Sequence, residues 1–167
     1  MAPEPSTPGP LVAFSLYTAV QVGSLDRVGR DLLTLSDSWK QPDGSYHVSE
    51  FMKYTDLFWL WVLGAYEVLR TMRQHSSCFT PALHEQTSLM TRRLAEVRIP
   101  FAKQELRGNG RPVFAELSVS SFGRGPIFKI AGSGIDASML IEDTLAFFNS
   151  IEEADIKQMM PLGIQED

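Results

Sequence analysis

The sequence predicts a mainly helical α+β domain: a helical bundle around a central apolar helix, with a β-hairpin and a carboxyl-terminal helix. Three observations predict it. Phe51 to His75 places Phe51, Tyr54, Phe58, Trp61 with Val62, Ala65, Val68 with Leu69, and Met72 at helical spacing, while Leu57, Trp59, Leu60 and Leu63 fill much of the remaining circumference. A helix apolar on nearly all sides belongs at the centre of a fold. Two further stretches, Leu25 to Trp39 and Leu83 to Phe101, step by threes and fours, as helices with one buried stripe do. Val113 to Ser120 instead alternates with period two and is followed by a glycine- and proline-containing turn and Ile127 to Ala131, the pattern of two antiparallel strands.

The central stretch is not a membrane span. Its uncharged run from Leu57 to Tyr66 is closed by Asp56 and Glu67 and falls short of the about 20 apolar residues a bilayer requires. At 167 residues the chain is the size of one domain. The expected organisation is an arm over 1–10, a single mainly helical domain over 11–160 and a tail over 161–167. Hydrophobic content of 44% and charged content of 21% are those of an ordinary globular protein. The net charge of -5 argues against general affinity for nucleic acid or anionic membranes. Cys78 is the only cysteine, which excludes an internal disulfide and a cysteine-rich zinc site, and a free thiol fits the cytoplasm.

In chain order, Met1 to Pro10 has proline at four of ten positions and no apolar run, so it reads as a flexible arm without a secretory signal. Leu11 to Val22 suits either a helix or, from its β-branched and aromatic content, a strand; helix is favoured. Gln41 to Ser45 is turn chemistry, and Ser49 is the expected cap of the central helix. Thr80 followed by Pro81 is a cap and first helical position, and Pro100 is expected to end or kink that helix. Arg107 to Pro112 is a loop. Gly132 to Gly134 is a second turn, Asp136 a cap, and Met139, Leu140, Leu145, Phe148 and Ile151 mark another helix, with a short helical piece before Pro161.

Few side chains form a chemical pattern. Arg70 and His75 make an R-x4-H pair at the end of the central helix, a spacing that resembles the motif of the HEPN family of helical bundles. That resemblance implies a ribonuclease in which Arg70 stabilises phosphate and His75 moves a proton of the attacking hydroxyl near a dimer interface. Thr71 stands where the family often has a polar residue of another kind, and the hairpin is not part of its minimal bundle. The plain alternative is a pair of cationic groups at a helix carboxyl end, where they favour the dipole.

Trp59 and Trp61 are candidate lining for an apolar ligand pocket, against the simpler reading of core aromatics. Arg92, Arg93, Arg98, Lys103 and Arg107 form a second basic group, of which Arg98 to Arg107 are expected to lie far from Arg70 and Arg73. The histidines lack metal-ligand spacing, Gly132 to Gly134 lacks a full phosphate-loop pattern, and no cofactor is implied. The expected function is non-enzymatic binding or scaffolding. The open outer edges of the hairpin point to a homodimer, with a third strand from Leu11 to Val22 as the competing solution.

Overall fold

The computed structural model describes residues 9–38, 43, 45, 47–103, 108, 119–122, 125–130 and 133–161. Most of the arm, most of the loop expected over Arg107 to Pro112, residues 113–118 of the strand expected over Val113 to Ser120, and the tail beyond 161 lie outside them. Four helices and a small sheet make a mainly helical α+β fold: α1 (Leu16–Ser38), α2 (Val48–Gln74), α3 (Pro81–Lys103), β1 (Val119–Phe122), β2 (Pro126–Ile130), β3 (Ser133–Asp136) and α4 (Ala137–Asn149).

Helix α2 is the centre. Its buried residues Tyr54, Phe58, Trp59, Trp61, Val62, Ala65, Val68, Leu69 and Met72 cover most of the circumference, so the helix needs neighbours on more than one side. Its main helical neighbours are α1 and α3. Between α1 and α2, Trp61 Nε1 donates to the Leu25 carbonyl at 2.8 Å. Between α2 and α3, Trp59 lies flat on Phe101, with ring centroids 4.5 Å apart and planes 2° apart. The buried hydroxyls of Thr87, Thr91 and Thr144 each donate to the carbonyl one turn earlier, so these three groups are satisfied locally.

The sheet contains the expected hairpin and one strand more. β1 pairs antiparallel with β2, across an irregularity between Val119 and Ser121, and β2 pairs antiparallel with β3. The third strand is therefore Ser133–Asp136, part of which reads as a turn in the sequence, and not Leu11 to Val22. The latter is a 3-10 turn, Pro10–Ala13, leading into α1. A glycine within a four-residue, weakly apolar stretch hides β3; its register against Ile127 to Ile130 is what reveals it. Phe128 of β2 stacks on Phe58 at 5.3 Å and meets Trp59 at 5.0 Å, seating the sheet against the central helix.

Three helix boundaries also differ from expectation. Helix α2 begins one residue before Ser49, with His47 in the cap position and no side-chain cap hydrogen bond. Pro100 does not end α3, which continues to Lys103. Only three residues follow it, so the amide it cannot supply costs one hydrogen bond near an end that frays in any case. Ile151 is buried but lies beyond α4, past Ser150. The caps at Thr80 and Asp136 are as expected: Leu83 N donates to Thr80 Oγ1 at 3.3 Å, and the amides of Ser138 and Met139 donate to Asp136 Oδ1 at 2.8 and 3.2 Å. The short helical piece before Pro161 is the 3-10 turn Glu153–Asp155.

Candidate functional site

The carboxyl-terminal half of α2 carries most of the sequence-predicted chemistry. Glu67 and Arg70 are one turn apart, and Arg70 Nε donates to Glu67 Oε2 at 2.7 Å. The second oxygen of Glu67 lies 3.9 Å from Arg98 Nη2 on α3. The Arg98 guanidinium in turn sits over Tyr66, 4.9 Å from the ring centroid. Two arginines thus converge on one carboxylate at the seam between α2 and α3. The sequence suggested that Arg70 and Arg98 would be far apart. The register of the two antiparallel helices, fixed by Trp59 against Phe101, brings them together instead.

His75 is the residue that closes α2. Its amide donates to the Thr71 carbonyl at 3.1 Å, and its ring stands 6.2 Å from that of Phe14, in the segment before α1. Five residues along a helix turn the direction of a side chain by about 140°. Arg70 accordingly engages its own helix and the α3 side, whereas His75 faces the amino-terminal segment. The two approach different neighbours within one chain.

Trp59 and Trp61 are 7% and 2% exposed. The rings of Phe58, Phe101 and Phe128 surround Trp59 at 5.3, 4.5 and 5.0 Å, and the indole N–H of Trp61 is committed to Leu25. Protein side chains occupy the space beside these rings.

A cleft of about 220 Å³ lies between α3 and the β3–α4 junction, lined by Arg93, Glu96, Gly134, Ile135, Asp136 and Met139. Its polar groups are largely engaged: Arg93 Nη2 is 2.6 Å from Asp143 Oδ2, and the Asp136 carboxylate accepts the first amides of α4. The start of α4 therefore already holds a negative group, supplied by the chain itself. Nearby, burial raises the pKa of the Tyr54 phenol; the neighbouring Ser138 hydroxyl opposes the rise and the Asp136 carboxylate adds to it. A side chain on Gly125 would overlap the Ser138 hydroxyl, so glycine is what lets the sheet close against α4 here.

Among the described residues no three His, Cys, Asp or Glu side chains gather as metal ligands, and no helix is long and apolar enough to cross a membrane. Comparison with protein-family models, with curated proteins and with solved structures finds no match.

Proposed function

We propose that this is a non-enzymatic, mainly helical binding or scaffolding protein of the cytoplasm, which associates with a second copy of itself through the first turns of α1. One observation carries the reading. Leu16, Tyr17 and Val20, at consecutive-turn spacing on one side of α1, are 66%, 72% and 58% exposed. Single exposed apolar residues are ordinary, but three together within two turns form a patch that a second surface would shield from water. Met159, also exposed, is next to Met160, whose amide donates to the Phe14 carbonyl at the base of the same helix. The free, buried thiol of Cys78 fits a reducing setting.

Sedimentation velocity on the full chain at micromolar concentration tests the proposal. The expected result is a dimer that dissociates in the Leu16→Glu and Val20→Glu variants, with the helical circular dichroism unchanged because both positions are exposed. A monomeric wild type, or variants that remain dimeric, would overturn it. In the alternative reading, a HEPN-like ribonuclease, Arg70 and His75 would have to act across such a dimer.

A further inference from the structure

We infer that Arg70 and Arg98 form a binding site for a small phosphate, inorganic or a monoester, which Glu67 occupies as a displaceable internal anion. Two guanidiniums share one carboxylate, so the cluster keeps an excess positive charge on a chain whose net charge is -5. The two contacts are unequal. Arg70 is hydrogen-bonded to Glu67 at 2.7 Å, but Arg98 approaches it only to 3.9 Å, beyond hydrogen-bond range.

Arg98 Nε is shielded from water and, among the described residues, has no acceptor. A guanidinium has five donors in a planar fork, and a buried donor without an acceptor is costly. The Tyr66 face holds this fork in place from one side, so little side-chain freedom remains to be lost when an anion binds. The side chains of Arg98, Arg70 and Glu67 are 25%, 43% and 44% exposed, which leaves the seam open to a small solute.

A phosphate dianion carries more charge than the Glu67 carboxylate and more acceptor oxygens, and can bridge two forks that one carboxylate spans poorly. The acidic chain as a whole selects against long polyanions, and so against nucleic acid as the source of the phosphate.

The test is a titration of the full chain with inorganic phosphate at constant ionic strength, followed through the arginine Nε–H resonances. Arg30, held at 2.8 and 3.0 Å by both oxygens of Asp26, is the internal reference. The expected result is a saturable shift of Arg70 and Arg98 that Arg30 does not share. Glu67→Gln should tighten binding on the order of fivefold, because the competing anion is gone. Arg70→Gln, which leaves Arg98 on Tyr66, should weaken it by a similar factor. Glycerol phosphate run in parallel separates a free ion from an ester, and either ranking keeps the site. Shifts no larger than those of Arg30, or a Glu67→Gln variant that binds no more tightly than wild type, would overturn the inference.

Discussion

Trp61 donates its indole N–H to the Leu25 carbonyl at a point where Gly29 has no side chain to stand in the way. In a helix that carbonyl already receives the Gly29 amide, so it serves two donors. A methyl group on Gly29 would lie 3.1 Å from Trp61 Nε1, 3.1 Å from Leu145 Cδ1 and 3.2 Å from Ile141 Cγ2. Gly29 is thus where α1 touches both α2 and α4. Alanine favours a helix over glycine by about 1 kcal/mol, whereas overpacking costs about 1 to 3 kcal/mol.

The balance predicts that Gly29→Ala lowers stability in urea denaturation, by up to about 2 kcal/mol. Gly23, in the same helix, supplies the opposite case. The nearest atom to a methyl there is Arg27 Nη1 at 3.7 Å, the end of a flexible side chain. Gly23→Ala is expected to raise stability by about 0.5 to 1 kcal/mol. Equal signs for the two substitutions would contradict the packing described at Gly29.

Phe58 is fully buried between Tyr54, Trp59 and Phe128, and Trp61 is nearly so. Phe58→Ala and Trp61→Ala should each cost about 3 to 5 kcal/mol. The Trp61 variant additionally strands no buried donor, since donor and ring leave together. Chemical denaturation decides the matter: a loss below about 1 kcal/mol would mean that α2 is not the centre of the core.

Tyr54 makes stability depend on alkaline pH. Burial raises its folded pKa above the ordinary value of 10.0, so the folded state keeps its proton where the unfolded chain releases it. A raised acid stabilises fully below the unfolded pKa and loses that contribution as pH climbs towards the folded one. Stability should therefore fall above about pH 10, by about 1.4 kcal/mol per pH unit for this one proton. Tyr54→Phe cannot ionise, and subtracting its stability curve from that of wild type isolates the phenol from the lysines that titrate in the same range. A difference that does not change between pH 9 and 11 would refute the assignment.

The sequence makes the helices legible because their signal is redundant: α2 repeats its apolar spacing over about six turns, and Thr80 with Pro81 marks a helix start by two separate chemistries. β3 is not legible. Ser133 and Gly134 have turn composition, and they become strand only because Lys129 and Ile130 offer a ladder to pair with. The same limit applies at the candidate site. Arg70 with Glu67 is a one-turn pair that spacing alone suggests, but Arg98 joins it through the register of α3 on α2. That register depends on which aromatic residue meets which, Trp59 with Phe101, and a single helix's periodicity holds no such information. Asp136 was visible as a cap because a helix start needs an acceptor whatever surrounds it.

The carboxyl-terminal segment supplies the last prediction. After the 3-10 turn Glu153–Asp155, Ile156 bridges to Phe79, Lys157 N donates to the Cys78 carbonyl at 2.8 Å, and Met160 N donates to the Phe14 carbonyl at 2.9 Å. The segment ties α3's start to the amino-terminal turn, and it lies directly over Cys78. The thiol contacts the Met159 carbonyl at 3.7 Å and the Gln158 side-chain nitrogen at 3.8 Å, and Cys78 is fully buried. A thiol reagent can reach the sulfur only when this segment lifts or the whole fold opens. Removing residues 156–167 should therefore speed labelling of Cys78 by at least about tenfold, the factor that corresponds to losing about 1.4 kcal/mol of local protection. Met160→Asp, which keeps the main chain and disturbs only the packing against the core, should move the rate in the same direction by less. Labelling is read under native conditions, with circular dichroism confirming that the helices persist. If the truncated chain stays helical and Cys78 reacts no faster than in the intact protein, global opening controls access, and the segment is not its cover.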